Sequence, residues 1–226
     1  FDEDEAVQLI REHQVTVFHS VATIYLRLAA ALEVVGDDVR RDVSCLRLAL
    51  CGGGPISPAL VQRVKGLLPA LEFRRVWGMT ETTSAGCVMP GDVQDYPEKP
   101  ISSGLTMPDM EMKVVDETCA EMLPGKPGEL LVRGGAVIKR YWNNAEANEV
   151  NFCEDWLKTG DLAKIDEDGF VYILDRKKDM INRAGEKIFS SEVEAALSSH
   201  PGVKEVAVVG KPDAYYGEIV KAYIVA

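Results

Sequence analysis

One stretch, residues 45–81, constrains the fold of this chain more than any other. It reads CLRLALC, then GGGP, then ISPALVQRVKGLLPA, then LEFRRVWGMTE. Two short apolar runs bounded by glycine and proline read as strands. Between them lies a segment apolar at helical spacing, opened by Ser57 and Pro58, a helix-start pair. Strand, helix and strand joined by short links close as a crossover onto a parallel sheet. The same alternation runs upstream. DEDEAVQLIREH reads as a helix with acids at its N-terminus, VTVFHS (residues 15–20) as a strand, and VATIYLRLAAALEVV as a helix. The expected fold class is α/β: residues 1–106 form part of a doubly wound, mainly parallel sheet subdomain.

That topology says where a ligand goes. In open parallel sheets ligands bind beyond the carboxyl ends of the strands. Two unusual loops fall at such ends, CGGGP (residues 51–55) and WGMTE (residues 77–81). Either alone also reads as an ordinary glycine turn. Both on one rim make the stronger case for a site.

From Met110 the texture changes to strands and turns. EMKVVDE, GELLVRGG and WLKTGDLAKIDEDGFVYILDR follow one another, the last with a hairpin turn at residues 166–169. A small β-barrel-like subdomain is expected over residues 107–177. The charge-dense run DRKKDMINRAGEKI is a hinge candidate, with a boundary near Lys178. Beyond it, residues 178–226 read as an α+β lid, cut short at Ala226. In that lid Ser191 and Glu194 have capping-box spacing ahead of VEAAL. No repeats or low-complexity tracts interrupt the chain.

Composition excludes several function classes. A net charge of -11 argues against a nucleic-acid partner, which calls for a basic face. Five cysteines without a CxxC pair, and three histidines, give little support for structural zinc or a disulfide framework. Scattered reduced thiols point to the cytoplasm. No apolar run reaches the length of an integral membrane segment, and the chain opens on Phe1 without a secretory leader.

Gly52-Gly53-Gly54-Pro55, Trp77-Gly78-Met79-Thr80-Glu81, Lys158-Thr159-Gly160-Asp161 and Asp175-Arg176-Lys177-Lys178-Asp179 occur in that order. With them the whole chain resembles the adenylate-forming (AMP-binding) acyl- and aryl-CoA synthetase superfamily. The resemblance implies attack of a carboxylic acid on the α-phosphate of ATP with Mg2+, giving an acyl-adenylate and pyrophosphate. A thiol, usually that of coenzyme A, then displaces AMP, while a C-terminal lid swings on the hinge.

The resemblance also assigns roles. Trp77 matches the adenine-stacking aromatic, more often tyrosine; read without it, Trp77 is a core residue at a strand end. Gly78 lets backbone approach the ligand. Thr80 matches a threonine contacting the α-phosphate, and Glu81 the magnesium ligand, a hard oxygen donor for a hard cation. The pair equally reads as a helix start, with threonine capping and glutamate at the positive dipole end. Gly52, Gly53 and Gly54 match a Gly-Gly-Ala segment bordering adenine and the acyl pocket, which Thr82, Thr83 and Ser84 also border. Asp161 matches the aspartate that accepts both ribose hydroxyls; read locally, Thr159-Gly160-Asp161 is a turn between strands. Arg176 matches an arginine near the ribose, Lys178 the hinge, and Asn182 a residue of the thioester half-reaction. As bland charge, residues 176–179 are a solvated run. Ala184-Gly185 matches a lid turn near the pantetheine path.

Two departures stand out. The family's phosphate loop and its terminal catalytic lysine are absent from the chain, and loss of such a cation removes about 3 kcal/mol of transition-state stabilisation. The chain is therefore expected to be an inactive excerpt of a longer ligase. Its incomplete sheet exposes an apolar rim that favours self-association, with a homodimer as the candidate form. Met79 and DRKKDMI resemble bacterial fatty-acyl-CoA ligases most, which implies a fatty or other acyl acid. An aryl-CoA ligase, an amino-acid or carrier-protein adenylating module, and a non-catalytic nucleotide-binding or scaffold fragment are the alternatives.

Overall fold

The computed structural model describes residues 1–54, 56–198, 200 and 202–226, so Pro55 of the GGGP motif lies outside the described residues. The chain divides into two compact units, Phe1–Met110 and Glu111–Ala226.

The first unit begins with α1 (Glu3–His13), whose N-terminus is closed by Asp2 Oδ1 accepting from the Glu5 amide at 2.9 Å. The acids of its first turn and the basic Arg11 and His13 of its last match the helix dipole. Then come β1 (Val17–Ser20), α2 (Ala22–Val34), the short α3 (Asp37–Asp42), β2 (Leu48–Cys51), α4 (Pro58–Leu67) and β3 (Glu72–Gly78). Ser57 Oγ accepts from the Leu60 amide at 3.2 Å, the cap that the Ser-Pro pair promises. Strands β1, β2 and β3 pair in parallel, with Ser20 opposite Cys51 and Cys51 opposite Arg75.

The sheet then changes sense. Strand β4 (Gly86–Val88) runs antiparallel to β3, and β5 (Leu105–Thr106) antiparallel to β4. A parallel return needs a crossover of a dozen residues or more. The link from Met79 to Ala85 is too short for one. The five-stranded sheet, in the order β1-β2-β3-β4-β5, is thus parallel at its start and antiparallel at its end.

Tyr25 of α2 organises the core beneath the parallel strands. Its ring lies edge-on to Phe18 at 5.6 Å and tilted against Phe73 at 5.2 Å. Its buried hydroxyl donates toward the Phe18 and Leu50 carbonyls, joining β1 and β2. Helix α4 is tied to β3 through Asp92, whose carboxylate pairs with Lys65 and accepts from the Phe73 amide at 3.1 Å.

The second unit holds two sheets. One is a four-stranded open sheet in the order β10-β9-β7-β6, formed by β6 (Met110–Val115), β7 (Gly128–Gly134), β9 (Trp156–Ile165) and β10 (Val171–Arg176). A short β8 (Phe152–Cys153) pairs with β9, following the helix α5 (Ala145–Asn151). The sheet is open where a barrel-like one was expected, since β10 and β6 stand at opposite edges of its strand order. The expected hairpin joins β9 and β10, with Asp166 Oδ1 accepting from the Asp168 and Phe170 amides and Gly169 at a φ of 83°.

The other sheet has the order β12-β11-β14-β13, from β11 (Ile181–Arg183), β12 (Glu186–Ile188), β13 (Glu205–Asp213) and β14 (Gly217–Val225). Part of the charge-dense hinge candidate is therefore a regular hairpin, turning through Ala184 and Gly185 at φ 52° and 94°. Helix α6 (Ser190–Ser198) packs on β13 and reaches β10. Its start differs from the expected Ser191–Glu194 capping box. Asp175 Oδ2 accepts from the Ser190 amide at 2.5 Å and from the Ser190 hydroxyl at 2.9 Å. The Ser191 hydroxyl donates to the Leu174 carbonyl, and Glu194 accepts from the Val208 amide at 2.8 Å. Glu194 fastens the helix to β13 because a nearer carboxylate already serves its N-terminus.

Candidate functional site

In the first unit the two glycine-bearing loops meet. Gly52 is buried at the end of β2, and its amide donates to the Ser20 carbonyl at 3.2 Å. A Cβ added there would fall 2.7 Å from Val76 Cγ2 and 2.9 Å from the Val76 carbonyl oxygen. The loop therefore lies directly on the end of β3. Gly53 turns with a φ of 76°, and Gly54 faces open space. Both are exposed.

Beyond β3 the chain folds back at once. Gly78 is closed in by backbone, since a Cβ there would be 2.3 Å from the Ser84 carbonyl oxygen. A single 3-10 turn, Thr80–Thr82, follows and leads to β4. No α-helix starts here, so the helix-start reading of Thr80 and Glu81 does not hold. The buried Thr82 closes the turn: its Oγ1 accepts from the Met79 amide and donates to the Met79 carbonyl, both at 3.1 Å. Thr83 and Ser84 continue in the left-handed region at φ 54° and 61°. These internal bonds leave the Thr80 side chain exposed, and among the described residues its hydroxyl bonds to no protein group. Glu81 beside it is half-buried. Trp77 is half-buried too, opposite Cys87 in the ladder, and its ring lies against Gly86, where a Cβ would be 2.6 Å from Cε3.

The polar groups under this rim are unusual. Arg75, opposite Cys51, is 9% exposed, and among the described residues its Nη1 has no hydrogen-bond partner. Burial pulls the Arg75 guanidinium below its ordinary pKa. Burial also pushes the Cys51 thiol up to about 11, against the opposing pull of Arg75. Cys87 rises to about 12 by burial, so both thiols stay protonated at neutral pH and neither is a nucleophile.

In the second unit Thr159-Gly160-Asp161 is a bulge within the continuous strand β9, where the pairing with β7 shifts register between Glu129 and Leu131. The local reading of a turn between strands is thereby replaced. The Thr159 hydroxyl donates to the Leu130 carbonyl at 2.8 Å and accepts from the Asp161 amide at 3.1 Å, and Gly160 takes a φ of 72°. Bulges of this kind re-aim side chains. Asp161 is 3% exposed and meets Arg176, its register partner on β10, at 2.9 Å. The Arg176 side chain itself is half exposed. Lys178 is exposed on the turn that follows. Asn182 is exposed on β11; its amide donates to Glu218 Oε2 at 2.7 Å and its Oδ1 accepts from the Gly185 amide at 2.9 Å.

The structure thus brings together Gly52 and the residues around Gly78 in one unit, and Asp161 and Arg176 in the other. Sequence reasoning missed Arg75, whose position in an otherwise apolar alternating strand is the signal that singles it out. It also missed Asp175 and Glu218, whose partners lie 15 and 36 residues away. Local patterns carry no trace of those.

Residues 1–142 match the model of the AMP-binding enzyme family, and residues 192–226 that of the AMP-binding enzyme C-terminal domain. The chain belongs to the AMP-binding enzyme family. It is 38% identical to a 2-succinylbenzoate–CoA ligase of Bacillus licheniformis over all of this chain and 45% of that protein. It is 42% identical to a long-chain-fatty-acid–CoA ligase of Escherichia coli O157:H7 over 81% of this chain and 32% of that protein. Among solved structures, the o-succinylbenzoate CoA synthetase of Bacillus subtilis in complex with its acyl-adenylate intermediate matches at a TM-score of 0.86. That match has 33% identity and covers 99% of this chain and 44% of that one. The chain spans less than half the length of these relatives.

Proposed function

We propose that this chain is part of an ATP-dependent carboxylic acid–CoA ligase that forms an acyl-adenylate and then an acyl-CoA thioester. The observation that carries the reading is the convergence of Gly52, Trp77, Thr80 and Glu81 where parallel strands end. That is where open α/β sheets take nucleotides. Trp77 offers an indole face to adenine, backed by Gly86. The free Thr80 hydroxyl is a donor for an α-phosphate oxygen. Asp161, fixed by the β9 bulge and its pair with Arg176, accepts the ribose hydroxyls.

Magnesium fits the donor set. Among the described residues no group of three His, Cys, Asp or Glu side chains could cage a metal, and magnesium asks for one or two carboxylates with substrate phosphates and water. Glu81 would hold it, and the ion would neutralise charge on the phosphates. In the first half-reaction a carboxylate oxygen bonds to the α-phosphorus and pyrophosphate leaves. In the second, the thiol sulfur of coenzyme A bonds to the acyl carbon and AMP leaves. Lys178 serves as a hinge, and Asn182 acts in the second half. Residues 1–106, 107–177 and 178–226 are the working divisions.

The acid is a fatty or other acyl acid, as the bacterial fatty-acyl ligase signature of Met79 and DRKKDMI suggests. The similarity of all of this chain to part of a 2-succinylbenzoate ligase favours an aryl acid as the second reading. The test is ATP-dependent thioester formation by the full-length protein across graded fatty acids, benzoates and cinnamates. Turnover that requires coenzyme A and falls by at least a hundredfold in Glu81→Gln is expected. Pyrophosphate release without a thioester would replace coenzyme A by a carrier-protein acceptor. No acid-dependent release would leave a nucleotide-binding or scaffold role.

A further inference from the structure

Beneath the rim where the two glycine-bearing loops meet lies a cation that the surrounding protein leaves unneutralised. Arg75 stands on β3 between Phe73 and Trp77, and alternation along a strand puts these three side chains on one face. Phe73 is fully buried and meets Tyr25 of α2, whereas Trp77 is half-buried near the strand end. Arg75 therefore occupies the layer between the core and the rim. Its neighbours across the sheet carry no charge. Cys51 is its register partner on β2, and Met89, just past β4, donates its amide to the Arg75 carbonyl at 2.9 Å. Both neighbouring side chains are buried.

A guanidinium in this setting keeps its proton, because arginine titrates far above neutral pH. Among the described residues no carboxylate pairs with it, and its Nη1 is sealed from solvent without a hydrogen-bond partner. An uncompensated buried charge weakens a fold, and an apolar chain in its place does not. Where a native structure keeps such a group, it marks a site with work other than folding. The loops above Arg75 are the ones that bear the nucleotide site proposed for this chain. Gly52 follows Cys51 directly, and Trp77 lies two residues on, about 7 Å along the strand. Solvent ions screen a buried charge far less than an exposed one, so its field reaches the rim.

We propose that Arg75 is an electrostatic anchor for the phosphate of the nucleotide, an uncompensated positive charge that attracts the anion from below the rim without touching it. The inference rests on the nucleotide site proposed above and deepens it by dividing the ligand in two. Trp77 and the glycine loop meet the uncharged base, whereas the field of Arg75 acts on the charged phosphate alone. At a separation of about 8–10 Å and an effective dielectric constant near 20, such a field changes affinity roughly ten- to thirtyfold. Arg75 is thus a positioning residue, and its role is separable from packing.

The test measures AMP and adenosine binding by calorimetry, without magnesium, to the full-length protein and to its Arg75→Met and Arg75→Gln variants. Both variants lose the charge, and Arg75→Gln keeps a polar amide. The expected result is AMP affinity lowered about tenfold or more in both, with adenosine affinity unchanged. Because the charge is buried, that gap should persist from about 0.05 to 0.5 M salt. Equal losses for AMP and adenosine would make Arg75 a packing residue and overturn the proposal. Full AMP affinity in either variant would also overturn it, since the charge would then be neutralised elsewhere in the protein or replaceable by a neutral donor. An unsubstituted protein that binds neither ligand would overturn the nucleotide site itself, and the inference with it.

Discussion

Gly52 and Gly54 stand two residues apart in one loop, and the same substitution should have opposite effects at them. At Gly52 an alanine methyl must enter within 2.9 Å of the Val76 carbonyl oxygen and 2.7 Å of Val76 Cγ2. The methyl group of Val76 can rotate away. The carbonyl cannot, because Val76 is fixed in the ladder opposite Val88. Relief requires the loop to lift from β3, and overpacking of this kind costs about 1–3 kcal/mol. At Gly54 an added methyl meets nothing within 4 Å, and the backbone is outside the left-handed region. Alanine there chiefly restricts the unfolded chain, worth about 0.4–1 kcal/mol in favour of folding. Urea unfolding followed by circular dichroism reads both. With a slope of about 2 kcal/mol per molar, Gly52→Ala lowers the midpoint by about 0.5–1.5 M while Gly54→Ala leaves it level or raises it slightly. On the nucleotide site proposed above, AMP affinity should fall in the first variant as well, since the loop lifts from the end of β3. Equal midpoints, or greater damage from Gly54→Ala, would refute the contact between the two loops.

Other substitutions probe the remaining polar groups. Asp175→Ala removes both acceptor contacts at the start of α6 and should cost about 1–2 kcal/mol, with faster hydrogen exchange confined to that helix and β13. Burial pushes the Asp92 carboxyl up, but the Lys65 ammonium and the Gln94 and Phe73 amides together hold it below the usual carboxylate range. Its stabilisation is therefore complete above the unfolded-state value and lost as pH falls through the lower folded one. Asp92→Asn should weaken the fold at pH 7 and flatten that acid limb in a denaturation series. Arg75→Met replaces a buried cation with an unpartnered Nη1 by an apolar chain, and should raise the unfolding free energy by about 1 kcal/mol in thermal melts of the ligand-free protein.

Much of this fold was legible along the chain because its signals are local. The Ser57-Pro58 pair, the acids of α1 and the Asp166–Gly169 hairpin turn each act within a few residues, and each produced the element it implied. The motifs, in their order, likewise carried the resemblance to the family that the family models match. Tertiary structure decided how the polar groups were spent. Glu194 has capping-box spacing yet bonds to β13, because Asp175, brought in from β10, already occupies the helix end. Thr80 and Glu81 look like a helix start yet lie on one 3-10 turn, because the short link to β4 forces an immediate reversal. Thr159-Gly160-Asp161 looks like a turn yet bulges within β9, because the neighbouring β7 supplies the Leu130 carbonyl that holds it there. Periodicity and caps report interactions between near neighbours, and the sequence alone determined those. Which distant carboxylate, carbonyl or strand would satisfy each side chain was settled only when the chain had folded.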